Sequence, residues 1–375
     1  MNKVLLTATV QSHICQFHRP LVELLHAYGY EVHVAAKDNL AEKNGLKLDF
    51  ADKVYNLPFS RSPKSTDNIK AYKELKKIIE NEHYDIIHCN TPMGSIVTRL
   101  AAKKSRKNGT KVFYTAHGFH FYNGASRKNW LVFYPIEKIM SRFCDKLITV
   151  NEEDYKLAKA KFPCNVAHIH GVGVSTERYH TISENEKVQR LRAEGLQGDE
   201  FTILCTGELN ENKDQKTLIA AAANLKGKIS NLKILLAGNG PLEHKLKAQV
   251  SELGLDEVIK FLGYRTDLFL LTPAVDLIVS CSHREGMPLN ILEAMLCKKT
   301  VIAAENRGHN ELVENGRTGY LVNPSDVDAL TQKIYKIYKS KDNSVDMGNK
   351  GFDKAQAYTT NAVKKELASI YDLEF

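Results

Sequence analysis

Two glutamates, Glu285 and Glu293, stand eight residues apart in the stretch SHREGMPLNILEAM (282–295), with a glycine and a proline between them. Proline fits the first turn of a helix and nowhere deeper, so Pro288 predicts a helix start. Glu285 then sits in the preceding loop, and Glu293 about one turn inside the helix. A loop carboxylate, the backbone N–H groups around Gly286 and a helix N-terminus would converge on one spot, suited to a ligand with hydroxyls and a phosphate. An ordinary capped helix is the competing explanation. Cys164, His168 and His170 have metal-like spacing, but alternation along a strand accounts for it as well. Asp326-Val327-Asp328 spells a DxD that could hold a metal against a diphosphate. Ser325 as N-cap, with acidic residues in the first turn of a helix over 327–338, is the simpler account.

Such residues need a frame. Short apolar runs predict strands at 3–9, 31–36, 84–89, 111–116, 146–150 and 166–169, then at 201–206, 232–237, 258–262, 276–280 and 300–304. Amphipathic segments such as 67–81, 96–107, 211–225 and 241–253 lie between them. This alternation predicts parallel sheets covered by helices on both faces, with ligands outside the carboxyl ends of the strands. Two series predict two doubly wound domains, 1–180 and 181–358, with the break at 170–185, where Gly171-Val-Gly173 interrupts the pattern. No GxxxxGK[ST] occurs, which excludes a P-loop. Ala237-Gly238-Asn239-Gly240-Pro241 lacks the third glycine of a dinucleotide fingerprint, yet its place between strand and helix predicts a tight turn near a ligand cleft.

The 375 residues suit about two domains, and 43% hydrophobic with 26% charged residues marks a globular chain. Seven cysteines, odd in number and never in a CxxC pair, predict a reduced, cytoplasmic protein. The first strand begins without a signal-peptide h-region, and the longest apolar stretch, 268–281, is broken by Pro273 and Asp276, so no membrane crossing is expected. Charge is uneven. Residues 1–180 carry 27 Lys/Arg against 17 Asp/Glu, a balance of +10; the remainder carries 25 against 27, or −2, matching the chain's +8. The runs Lys70–Lys77 and Lys103–Lys107 supply much of the excess, as solvated helix faces or as a surface for anionic lipid.

The stretch EGMPLNILEAM resembles the E-x7-E signature of the family 4 retaining glycosyltransferases. TGELNENKDQKTLI is similar to that family's strand–loop–helix phosphate motif, with Lys213 at the basic position. LLAGNGPLEHKL resembles its second turn, VIKFLGYRTDL its base-binding turn, and TAHGFHFY the loop with a histidine facing the donor sugar. HCNTPMG, TAHGFHFYNG and ITVNEED add a likeness to bacterial capsule and exopolysaccharide transferases.

The resemblance implies a GT-B fold, two Rossmann-like domains facing each other across a cleft, with a last helix at 359–375 crossing back to the first. It implies a nucleotide-sugar donor, UDP-linked by expectation, in the second domain, and a polyprenyl-diphosphate-linked acceptor in the first. Glu293 would accept from the ribose hydroxyls; Glu285, Gly286 and Met287 would orient the sugar; Pro288, Leu289 and Asn290 would face the diphosphate. Lys213 would neutralise the departing diphosphate, and His117 would hydrogen-bond the sugar. Gly207, Asn239 and Gly240 complete the expected donor site, and His13, Arg61 and Thr91 the expected acceptor site. Two positions depart from the pattern. Glu208 stands where the family often has Arg, which makes Arg284, then Arg265, the candidate replacement cation; the first βα loop, Ala8–His13, lacks glycines. No metal or other cofactor and no nucleic-acid partner is expected, and the protein should sit peripherally on the inner face of the cell membrane. A non-hydrolysing nucleotide-sugar epimerase of the same fold and a non-catalytic two-domain sugar-binding protein are the rival readings.

Overall fold

The computed structural model describes residues 2–42 and 46–373. Its strands are β1 (Lys3–Val10), β2 (Glu31–Lys37), β3 (Lys53–Asn56), β4 (Ile86–Asn90), β5 (Lys111–Ala116), β6 (Lys146–Thr149), β7 (Asn165–His168), β8 (Phe201–Thr206), β9 (Leu232–Ala237), β10 (Ile259–Gly263), β11 (Leu277–Ser280), β12 (Thr300–Ala304) and β13 (Tyr320–Val322). Two of these escape the apolar pattern. β3 is short and largely exposed, and β13 is three residues long; both are sheet edges, where pairing needs no apolar run.

The chain divides into two compact units, Met1–Gly173 with Thr360–Phe375, and Val174–Thr359. The first holds a sheet in the order β3-β2-β1-β4-β5-β6-β7, the second one in the order β10-β9-β8-β11-β12-β13, with every pairing parallel. Each is a doubly wound Rossmann-like sheet. Its order reverses between β1 and β4 in one unit and between β8 and β11 in the other, and there a crevice opens at the strands' carboxyl ends. Leu5, Ile87 and Val112 are buried in the first core; Ile203, Ile234 and Leu277 are buried in the second. Near-continuous burial along β1, β4 and β12 reflects helices on both faces.

Three local expectations need correction. The predicted helix over 96–107 is two, Pro92–Ala101 and Lys103–Lys107, separated at Ala102. No loop spans Ala8–His13: β1 runs to Val10 and a helix, Gln11–Phe17, begins at once with Gln11 and Ser12 buried. The helix after Ser325 is capped by Asp326, whose side chain accepts from Ala329 N at 2.9 Å, while Ser325 Oγ donates to Asp214 at 2.9 Å. Asp326 is therefore occupied as a cap, whichever residue of the DxD is considered for a metal. The last helix, Thr360–Ile370, belongs to the first unit. Lys364 pairs with Glu23, Glu366 with His170, and the Tyr371 hydroxyl meets His88 Nδ1 at 2.6 Å. Residues 374 and 375, the end of the predicted 359–375 segment, lie outside the described residues.

Candidate functional site

In the second unit the topology brings the loops after β8 and β11 side by side, and specific bonds fasten them. Asn212 Nδ2 donates to Arg284 O at 3.1 Å, and His283 N to Asn212 O at 2.8 Å. His283 Nε2 lies 3.2 Å from the buried Asp214, which also accepts from Thr217 and Ser325. The centre of this arrangement is an ion pair. Lys213 Nζ lies 2.6 Å from Glu285 Oε1, both side chains largely shielded from solvent. Two groups expected to act separately are thus one unit.

The glycines explain how the lysine is laid there. Gly207 (φ 142°) passes under the Lys213 chain, and a Cβ on it would meet Cδ and Cε at 3.1 Å. Gly238 (φ 150°) brings the turn after β9 against the turn after β8, so closely that a Cβ would lie 1.9 Å from Gly207 O. Asn239 O accepts from Leu209 N at 2.9 Å, and a Cβ on Gly240 would strike Leu209. The GxG therefore serves turn-on-turn packing that carries the β8 loop; no third glycine is needed.

Beside Glu285, the helix Leu289–Leu296 starts one residue later than expected, with Pro288 at the N-cap position. Proline has no side-chain acceptor, and this helix end has no side-chain cap hydrogen bond among the described residues. Its first N–H groups lack intrahelical acceptors. The buried Asn290 Nδ2 has no hydrogen-bond partner among the described residues. An uncapped helix end and an unsatisfied amide donor beside a lysine make a place for an anion. Within the helix, burial pushes Glu293 up to about 7, against the opposing effects of a hydrogen bond from Tyr179 and the charge of Arg178. Tyr179 and Arg178 carried no sequence signal, since neither falls in a motif. The same holds for Asn306–His309. Asn306 caps the helix Arg307–Leu312, Gly308 packs on Glu285 and Gly286, and His309 is kept neutral by burial. Asn306 as a helix N-cap, two residues before Gly308, was the available clue.

The candidate cations separate cleanly. Arg265 is held by Glu194 (2.8 and 3.0 Å) and Asp267 (2.7 and 2.9 Å), so it is not available to replace the missing arginine. Arg284 is exposed, and Glu208 accepts from Asn210 Nδ2 at 3.0 Å; neither is in an ion pair among the described residues.

The first unit presents a different chemistry at its strand ends. His13 Nε2 and His117 Nε2 are 3.2 Å apart, His117 Nε2 is 3.3 Å from Asn90 Oδ1, and His18 packs against both rings. Burial holds His117 down to about 4, and burial with neighbouring rings pushes His13 and His18 well below the usual range. Arg61 is close enough to add to the effect on His13. His18 Nε2 has no hydrogen-bond partner among the described residues, and His18 lines a cavity of about 20 Å³ with His88, Thr115 and His117, room for one water. The Thr91 hydroxyl, expected to meet an acceptor, is engaged with Thr9 and Asn90 and ties the ends of β1 and β4 together. One ring nitrogen each from His13, His18 and His117 lie within 4.8 Å of one another, a set suited to a transition metal such as Zn²⁺. Oxygen ligands, which a diphosphate-bridging Mg²⁺ would require, are absent from that set. Cys164, His168 and His170 do not form a ligand set: Cys164 meets Cys144, while His168 lies edge-on to His170 with ring centroids 5.0 Å apart and His170 is held by Glu366.

Comparison with known proteins agrees with this geometry. Residues 187–354 match the family model for glycosyl transferases group 1, and residues 3–151 the model for glycosyl transferase 4-like domains. EpsD of Bacillus subtilis (strain 168), a glycosyltransferase by name with no donor or acceptor specified, is 41% identical over 99% of this chain and 96% of its own. The UDP-Gal:alpha-D-GlcNAc-diphosphoundecaprenol alpha-1,3-galactosyltransferase of Escherichia coli is 26% identical over 85% of this chain and 83% of its own. Anabaena HepE, solved in complex with UDP-glucose, superposes with a TM-score of 0.79 over 99% of this chain and all of HepE, at 21% identity, and shares the fold. With two Rossmann-like domains of the GT-B type and these relatives, the chain belongs to the group 1, family 4-like glycosyltransferases.

Proposed function

We propose that this chain is a retaining transferase that moves a sugar from a UDP-sugar to a polyprenyl-diphosphate-linked glycan in bacterial surface-polysaccharide synthesis. The observation that carries the reading is the Lys213–Glu285 pair beside the uncapped start of helix Leu289–Leu296. The diphosphate lies at that helix start, where Asn290 Nδ2 and the first N–H groups donate to it. Glu293, as a carboxylate, accepts from the ribose hydroxyls. Glu285 and the N–H groups of Gly286 and Met287 orient the sugar, and Lys213 lies ready for the charge that grows on the leaving diphosphate. His117, neutral, contributes a ring nitrogen to the sugar. The acceptor hydroxyl attacks from the face the diphosphate leaves, and its proton passes to a diphosphate oxygen. The sugar–oxygen bond to the diphosphate breaks as the new glycosidic bond forms, with no metal required in the site.

Names of relatives support the substrate classes. The Escherichia coli relative acts on a diphosphoundecaprenol-linked acceptor with UDP-Gal, as does a Campylobacter jejuni relative with an N-acetylgalactosaminyl group. The Staphylococcus aureus CapM relative belongs to capsule synthesis. The test is a UDP-, GDP- and ADP-sugar screen by thermal shift, followed by transfer to a polyprenyl-diphosphate glycan with and without EDTA. Acceptor-dependent, EDTA-resistant release of UDP is expected. Conversion of a UDP-sugar without acceptor would establish an epimerase instead, and loss of transfer on chelation with recovery in Mg²⁺ or Mn²⁺ would overturn the metal-free step.

A further inference from the structure

Helix Arg127–Met140 in the first unit has an unusual outward face. Its inward face is conventional: Trp130, Phe133 and Tyr134 pack on the core, and Glu137 is buried against Arg99 at 3.1 Å. Arg99 is itself fully buried and lies 4.2 Å over the Tyr114 ring. This ion pair fixes the rotation of the helix, because turning Glu137 outward would leave the arginine unpaired in the core. What then faces solvent is Leu131 (77% exposed), Val132 (44%), Ile136 (41%) and Ile139 (55%), with Pro135 among them. Four of the twelve exposed large hydrophobics among the described residues therefore lie on this one helix. Val132, Ile136 and Ile139 follow one another at four and three residues, with Leu131 and Pro135 alongside, which makes a single stripe. A surface helix normally turns charge outward; here the charge is at the margins and of one sign. Arg127 and Lys128 are exposed at its start, Lys138 and Arg142 at its end, and its one acidic residue points inward. Arg142 also joins Lys103, Arg106, Lys107, Phe143 and Asp145 in lining a recess of about 290 Å³, where Asp145 is already held by Arg106.

We infer that this helix is a membrane-docking surface: it lies in the interface of an anionic lipid leaflet, its Leu131–Ile139 stripe among the upper acyl chains and its flanking cations on lipid phosphates. An apolar stripe edged by Lys and Arg is the composition that binds such an interface. A second copy of the chain fits less well, since a two-fold contact through this stripe would bring cations of the same sign together. The docking face thus differs from the basic runs singled out by sequence. Within Lys103–Lys107, Arg106 is engaged by Asp145 and the carbonyls of Arg142 and Cys144, which makes it a structural residue. The inference stands on this surface alone, independent of the donor and acceptor proposed above.

The test is vesicle co-sedimentation of the full chain, with phosphatidylcholine vesicles and with vesicles containing about one third phosphatidylglycerol. Wild type should bind the anionic vesicles and be released by salt. Leu131→Gln with Ile139→Gln should weaken that binding about tenfold or more, with unchanged thermal unfolding because both side chains are exposed. Lys107→Gln with Arg142→Gln should abolish the preference for anionic lipid. UDP binding, measured in parallel, should be the same in all three proteins, so a failed donor assay and a failed docking assay remain distinct. Equal sedimentation of wild type and the Leu131/Ile139 variant would overturn the proposal. So would wild type that ignores anionic vesicles, or a Leu131/Ile139 variant that loses dimerisation while keeping vesicle binding.

Discussion

The two units answer the same topological problem with opposite electrostatics. At the β8/β11 end of the second unit, a lysine and two carboxylates stand beside a helix N-terminus, and charge is held in place by an opposite charge 2.6 Å away. At the corresponding end of the first unit, burial keeps the imidazoles neutral, so His13, His18 and His117 offer lone pairs and N–H groups without charge. A doubly wound sheet supplies a crevice in each case, and the residue types at its rim decide what the crevice can hold. The charged rim suits a diphosphate; the neutral rim suits hydroxyls of a glycan.

The sharpest break of this comparison is Lys213→Ala. If the pair is a preorganised electrostatic device, turnover should fall about 10²–10³-fold with a smaller change in donor affinity. Near-normal kcat, measured by UDP release, would reduce the pair to a structural tie between two loops.

Acid separates the units next. His117 and His88 titrate near 4 and near 3 in the folded chain because burial disfavours their charged forms. The unfolded chain takes up those protons near 6.5, so their contribution is full above that pH and is lost as pH falls toward 4, roughly 3 kcal/mol for His117. Glu293 works the other way. Raised to about 7, it keeps a proton that the unfolded chain releases near 4.5, so a fall of pH between 7 and 4.5 favours the folded state. Hydrogen exchange should therefore show β1, β4 and β5 losing protection between pH 6.5 and 5 before β8, β9 and β11. The reverse order would count against neutral histidines in the first unit.

The same glutamate sharpens the donor reading. If, as proposed, two ribose hydroxyls donate to it, the carboxylate is the stronger acceptor, so UDP-sugar binding should expel its proton below about pH 7. Affinity measured by calorimetry should weaken up to tenfold per pH unit below that value, and Glu293→Gln should remove the dependence. A flat wild-type profile would take Glu293 out of the ribose contact. The smallest effect expected is for Arg284→Ala, a few-fold loss of UDP affinity with unchanged unfolding. Arg265→Ala should do the opposite, lowering stability because Glu194 and Asp267 lose their shared partner. Arg284→Ala with wild-type affinity and turnover would leave Glu208 without a replacement cation in the site.

Eleven of the strands were legible as apolar runs because parallel strands buried on both faces read almost continuously hydrophobic. The edge strands β3 and β13 were not, since half of each faces solvent or pairs too briefly to need a pattern. Glu285, Glu293 and Lys213 were legible because helix starts and tight turns leave local marks in proline, glycine and charge. Tyr179 was not, because it reaches the site from another element and nothing adjacent to it in the chain announces it; the capping asparagine at 306 marks a helix start but does not say that Asn306 and His309 reach the site.

The sequence by itself determined the two-sheet architecture, the family and the loops that carry the site, since local spacing fixes element type and turn position. Tertiary structure alone decided that Lys213 is paired with Glu285, that Arg265 is already occupied and that Thr91 is a frame residue. It also decided that the exposed apolar stripe lies on helix Arg127–Met140 rather than in the basic runs. The physical reason is common to all four. A side chain's partner is set by which strands neighbour in the sheet and by which face of a helix a buried ion pair turns inward. Neither is a property of any short stretch of the chain.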